Sequence, residues 1–195
     1  GLLIRLSNSH FFVLIGLTVW SFFNLMINGS VKIVNNNKGI VSKIYLPKYI
    51  LLLYKSFVYL FKMFISIGLI IILMIFFKIP FTLALLNFIP IMIVLYVVTF
   101  GISSILLHFG IFVEDLANVM TIILKLMFYL SGIFYSIATR IPAPYNEILL
   151  KGNPAAFLMA QFREIFIFGN SPDYLWLGIW FLIGVGFLMI GIKII

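Results

Sequence analysis

Acidic side chains are scarce in this chain: five Asp and Glu stand against 13 Lys and Arg in 195 residues. Glu114 and Asp115 are adjacent. Successive helical residues diverge by about 100° around the axis, so this pair does not face itself as an acid and a base. It reads either as the solvated side of a cytoplasmic turn or as a contact for a cytoplasmic partner. Glu147 and Glu164 are the other carboxylates open to acid–base use. His10 and His108 lie at separate borders of apolar runs with no ligand spacing, and cysteine is absent, which removes thiolate metal sites and disulfides. No Gly-x-x-x-x-Gly-Lys-Ser/Thr occurs, so no loop here wraps a nucleotide phosphate. Catalytic, cofactor and metal sites are therefore not expected on this chain. Lys55 and Lys62, seven apart, share one helical face. Either they are wet and snorkel to headgroups, or they line a water-accessible path that attracts an anionic substrate.

The elements that must position these residues are membrane helices. The chain is 64% hydrophobic and 9% charged, with a mean hydropathy of +1.25, whereas a soluble domain carries about 25% charged residues. The net charge of +8 falls mostly between apolar runs. It suits an anionic membrane surface and not nucleic acid. At about 20 apolar residues per crossing, five spans are predicted. They are Phe11 to Ile27, Tyr49 or later to Phe77, Thr82 to Leu107 with a kink at Pro90, Val119 to Ala138, and Tyr174 to Ile192. The fold class is all-α integral membrane protein. Lys32, Lys38, Lys43 and Lys48 place the first connecting loop on the cytoplasmic side, and alternation puts the segment from Thr139 to Asp173 outside. Five spans then leave Gly1 outside with no signal-peptide pattern, so a preceding span, six in all, is the expectation.

The long outer segment has its own signals. Arg140-Ile141-Pro142-Ala143-Pro144 breaks the preceding helix. Asn153-Pro154-Ala155-Ala156 reads as a helix start, with Asn as cap and Pro in the first turn. Phe157 to Phe168 follows, mostly apolar but carrying Gln161, Arg163 and Glu164. At about a dozen residues it is too short to cross, and it reads as a half-inserted or interfacial helix. Trp176 and Trp180 fit the membrane interface or a bundle contact. No converging polar cluster of the kind a membrane transferase needs is visible.

Several blocks of this chain resemble the membrane permeases of type-2 ABC exporters, in the branch exporting O-antigen, capsule, rhamnan or teichoic acid. They are Gly16-Leu17-x-x-Trp20-Ser21-Phe22-Phe23, Asn28-Gly29, Ile33-Val34, Lys43-Ile44-Tyr45-Leu46-Pro47-Lys48, Leu130-Ser131-Gly132-Ile133-Phe134-Tyr135 and Asn153-Pro154. Their order carries the resemblance. The departures are Gly132, where the family often has Pro, and the lack of the Arg that often precedes the acid at Glu114-Asp115. The resemblance implies a transmembrane domain over residues 1–195 lacking an N-terminal cytoplasmic helix and first span. It further implies a homodimer in the bacterial plasma membrane, two separate ATPase subunits holding ATP and magnesium, and a lipid-linked glycan as substrate.

On the same resemblance, Lys43 to Lys48 couple the ATPase to the spans, with Pro47 stiffening the start of the second. Trp20, Phe23, Phe134 and Tyr135 join Lys55 and Lys62 as path candidates, and Asn153, Pro154, Arg163 and Glu164 belong to an outer re-entrant segment. A permease of the same family exporting a drug or lipid is the alternative, and a polytopic membrane transferase a more distant one.

Overall fold

The computed structural model describes residues 2–36, 48–113 and 115–194, and among them there is no strand. Lys43 to Pro47 and Glu114 lie outside the described residues. The described residues form eight α-helices in order: α1 Leu2–Asn36, α2 Lys48–Phe76, α3 Phe88–Phe112, α4 Leu116–Leu130, α5 Ile137–Arg140, α6 Tyr145–Gly152, α7 Pro154–Arg163 and α8 Tyr174–Ile194. A 3-10 turn over Leu83–Asn87 leads into α3, and a π-helical turn over Glu164–Phe168 extends α7.

Among the described residues, four helices are long and apolar enough to cross a bilayer: His10–Ile33, Tyr49–Phe76, Leu83–Gly110 and Tyr174–Ile194. This is an integral membrane protein. The stretch His10–Ile33 is 50% buried, against 22–33% for the other three, so α1 is the most enclosed; α2 and α3 pack on it, and α8 packs on α3. Its Val19, Phe22, Phe23 and Met26 are inaccessible. On α2, by contrast, Phe57, Phe61, Ile72 and Ile75 stand outward, as side chains facing lipid do.

The bundle runs up and down. Ile33 at the end of α1, Leu51 and Leu52 at the start of α2, and Leu107 near the end of α3 form one cluster. Gly191, late in α8, meets Ser104 of α3 toward the same end. At the far end the Phe11 ring stands edge-on to Phe77, centroids 5.8 Å apart.

Two expectations change, and a third narrows. The predicted span from Val119 to Ala138 is not one helix. The 15-residue α4 is about 22 Å long, short of a core of about 30 Å. It ends because Gly132 takes φ +64, a left-handed backbone that stops the helix. Pro90 lies in the first turn of α3 and not in its middle, a position where amides lack intrahelical acceptors and proline is tolerated. The segment from Phe157, expected as half-inserted or interfacial, is buried against the other helices. Ala155, Ala156, Phe157, Leu158 and Met159 are buried, and Phe162 and Phe166 pack against Phe88 of α3. It is inserted into the bundle.

The start of α7 is as expected. The Asn153 side chain accepts from the amides of Ala155 and Ala156 at 3.0 and 3.4 Å, with Pro154 in the first turn. Its Nδ2 also donates to Ser131 Oγ at 3.0 Å, so one residue caps α7 and ties it to the end of α4. Asn153→Ala removes both and is expected to cost about 1–2 kcal/mol. Asn153→Asp keeps the cap and loses the tie. Thermal unfolding in detergent should rank wild type above Asp and Asp above Ala; an unshifted Ala midpoint would show that the cap carries no weight.

Candidate binding groove between α1 and α4

Trp20, Asn24 and Asn28 repeat every four residues and so form one stripe along α1. Thr121, Lys125 and Phe128, at spacings of four and three, form a second stripe on α4. The fold sets these stripes against each other in antiparallel sense, enclosing a groove of about 460 Å³, with Leu124 and Tyr129 completing its wall.

Within the groove the groups are graded. Asn28 Nδ2 donates to Asn24 Oδ1 at 2.7 Å, while the Thr121 hydroxyl donates to the Ala117 carbonyl at 2.7 Å and lies 3.4 Å from Asn28 Oδ1. Lys125 comes next along α4. Toward the far end the lining is aromatic: Trp20 and Phe128 meet at 5.5 Å between centroids, and Phe128 and Phe134 at 5.7 Å. Tyr135 donates its hydroxyl to the Tyr129 carbonyl at 3.0 Å. Among the described residues the lining holds amides, hydroxyls, an ammonium and aromatic rings, with no carboxylate or imidazole. Such a set exchanges hydrogen bonds with hydroxyl groups and stacks on ring faces.

Of the path candidates, Trp20 lines the groove and Phe134 stands at its rim, 63% exposed. Phe23 stacks at 5.8 Å from Trp20 and is 1% exposed, so it backs the groove without lining it. Lys55 and Lys62 are not brought here. They sit on α2 beside Tyr54 and Tyr59, at 5.8 and 5.9 Å from the rings. Asp115 is exposed just ahead of α4, and Lys48 opens α2.

Arg163 is the other polar centre, and it is not on a solvated face. It is 5% exposed. Its guanidinium donates to the carbonyls of Phe12, Gly132 and Ile133 at 3.2, 3.1 and 3.0 Å, and lies 3.5 Å over the Phe12 ring. The inserted helix therefore grips α1 and the turn that delivers Phe134. The left-handed Gly132 in that turn adopts a backbone closed to proline, whose φ is fixed near −65°. Glu164 accepts from Asn170 Nδ2 at 2.9 Å beyond the helix. At the segment's start, the hydrogen bond from Lys151, 2.8 Å away, holds the exposed Glu147 carboxyl below its usual range. Lys151 also offers its carbonyl to Trp180 Nε1 at 3.1 Å, making Trp180 a bundle contact.

Asn24, Asn28, Thr121, Lys125, Phe128 and Tyr129 were not anticipated as a group. Their signal was two amides and a threonine–lysine pair, each at a spacing of four inside apolar runs, where polar side chains are costly and turn toward protein or water. Compared with known proteins, the chain matches no family model and no curated sequence at a significant level.

Proposed function

We propose that this chain is the membrane permease subunit of an ATP-driven exporter that moves a lipid-linked polysaccharide across the bacterial plasma membrane. The observation that carries this reading is the groove between α1 and α4. Amide and hydroxyl groups at one end and aromatic rings at the other suit a ligand with hydroxyls on its edges and C–H groups on its faces, as a sugar ring has. The ordered blocks resembling type-2 ABC exporters support it, as does an inserted helical segment just before the last span. In this reading ATP and magnesium are held by two separate ATPase subunits, and a second copy of the chain completes the transporter. Residues Lys43 to Lys48 pass the ATPase movement to α2.

Depletion in living cells tests the proposal. Lipid-linked glycan should accumulate on the cytoplasmic side, and the tagged chain should co-purify with an ATPase. Trp20→Ala should slow export about fivefold to tenfold, as expected from losing an aromatic contact of about 1 kcal/mol. A cell without accumulated glycan, and a chain without an ATPase, would end the exporter reading. Retention of a drug or simple lipid instead would redirect the substrate while leaving the transporter.

A further inference from the structure

We infer that the cleft between α2 and α3 is a binding site for one acyl chain of a bilayer phospholipid. It requires only that the chain sits in a membrane, and so stands or falls apart from the exporter reading.

Helices α2 and α3 each pack along α1 but scarcely on each other. Between them lies a cleft of about 350 Å³, lined by Leu60 and Phe64 of α2 and by Phe88, Met92, Ile93 and Tyr96 of α3. It shares no lining residue with the groove between α1 and α4. From Phe88 to Tyr96 it runs about 12 Å along α3. One end is closed. The Tyr96 and Ser56 hydroxyls bond across the helices at 3.0 Å, and the Tyr96 ring stacks on Phe100 with centroids 5.5 Å apart. The floor is fixed as well, because Phe88 packs against Phe162 and Phe166 of the inserted segment and Met92 is 8% exposed. The other end is open. Leu60 and Phe64 continue at the same spacing to Gly68, where an added Cβ would meet nothing within 4 Å.

Chemistry and shape select the occupant. Among the described residues the one polar side-chain atom in the lining is the Tyr96 hydroxyl, and it is engaged with Ser56. A headgroup, a sugar or a bare peptide backbone would bring donors and acceptors that nothing here answers, a costly state away from water. Water is excluded on the same ground, since apolar cavities stay dry. A helix about 10–12 Å across needs more than twice the cleft's volume over the same length, so a helix of a second copy does not enter. A gap left empty forfeits dispersion contacts along both walls. A hydrocarbon chain is thin enough and has no polar group to satisfy. Its source is at the rim. Ile89 and Ile93 are 63% and 50% exposed, beside the outward Phe57, Phe61 and Phe64 of α2, so the cleft is continuous with the face of α2 turned to lipid.

The test places the full chain in phosphatidylcholine nanodiscs doped with a phosphatidylcholine carrying a photoactivatable diazirine in one acyl chain. Adducts are mapped by peptide mass spectrometry. Lipid that merely surrounds the protein labels residues in order of their exposure. A chain held in the cleft should label Met92, 8% exposed, about threefold or more above Phe61, which is 67% exposed beside Leu60. In Gly68→Leu the new side chain points back over the Phe64 turn; it should cut the Met92 adduct about fivefold and leave Phe61 unchanged. Ile93→Trp fills the cleft from the α3 wall and should do the same, so the result does not depend on the folding of one variant.

Labelling that follows exposure, with Phe61 above Met92, would overturn the site, and so would a Met92 adduct that survives both filled variants. Two further arms identify the occupant. Phe64→Cys, in a chain with no native cysteine, should form no disulfide-linked dimer under oxidation; ready dimerisation would give the cleft to a second copy. Polyprenyl phosphate added in trace amount should leave the Met92 adduct unchanged. Its loss would give the cleft to the lipid of a transported substrate, and the phospholipid assignment would fall while the exporter reading stood.

Discussion

Arg163→Met lowers the thermal midpoint of the detergent-solubilised protein by roughly 5–10 °C, the largest effect expected of any single side-chain truncation here. The guanidinium satisfies the carbonyls of Gly132 and Ile133, which lie in a turn, and takes a further contact from Phe12 on α1. Methionine fills similar space and donates nothing, so buried carbonyls are left without partners at about 1–3 kcal/mol each. Removing a buried cation returns part of that cost, and a net loss of about 2–4 kcal/mol is the balance. For a chain of this size each kcal/mol moves the midpoint about 2–4 °C. Arg163→Lys keeps the charge but loses the planar fork that reaches three acceptors, and should fall between.

A cycle with Gly16 separates this account from simple cavity formation. A Cβ on Gly16 would collide with the Arg163 guanidinium, so Gly16→Ala should itself destabilise by displacing it. In the Arg163→Met background that collision is with a flexible thioether, and Gly16→Ala should cost much less. Additive effects would show that the two residues do not act through one contact. The same variants reach the groove. The turn held by Arg163 delivers Phe134 to Phe128, so a disulfide between Phe128→Cys and Phe134→Cys should form readily with Arg163 present and slowly with Met. Equal cross-linking would mean that Arg163 stabilises the fold without positioning the rim.

What could be read from the residues, and what could not, divides along a physical line. Lipid demands apolar surface around a whole helix, so the stretches ending near Phe77, Leu107 and Ile192 announced themselves, and their helices lie within a few residues of those limits. Local hydrogen-bond chemistry was legible too: Asn153 followed by Pro154 can do little other than open a helix. Helix-to-helix pairing was not. In a bilayer a phenylalanine facing lipid and one facing protein are equally apolar, so Phe23, inaccessible behind Trp20, and Phe134, exposed at the rim, carried the same signal. The partners of Arg163 were not legible, because its acceptors are main-chain carbonyls 30 to 151 residues away. The stripes of Asn24, Asn28, Thr121 and Lys125 gained meaning only when α1 and α4 faced each other. The break at Gly132 depends on a backbone sign that glycine permits but does not dictate.

Gly101→Ala should disrupt the protein more than its single methyl group suggests, while Gly178→Ala and Gly186→Ala should be harmless. The contact between α3 and α8 is built from small residues that let backbones approach closely, as membrane helices need when no hydrophobic force drives them together. A Cβ on Gly101 would stand 2.7 Å from the Gly184 carbonyl and 3.0 Å from Phe187 Cβ, and one on Gly184 would stand 3.0 Å from the Val98 backbone. These obstacles are main chain, which cannot rotate aside, so the two helices must separate along their length. The expected cost is about 1–3 kcal/mol for Gly101→Ala, and Gly184→Leu should prevent folding. Gly178 and Gly186 lie on the same helix with nothing within 4 Å of an added Cβ, and alanine there should gain up to about 1 kcal/mol from helix propensity. Monodisperse yield and thermal midpoint, measured on all four variants, separate the two classes. If Gly186→Ala and Gly101→Ala shift the midpoint alike, close backbone approach is not what holds α8 against α3.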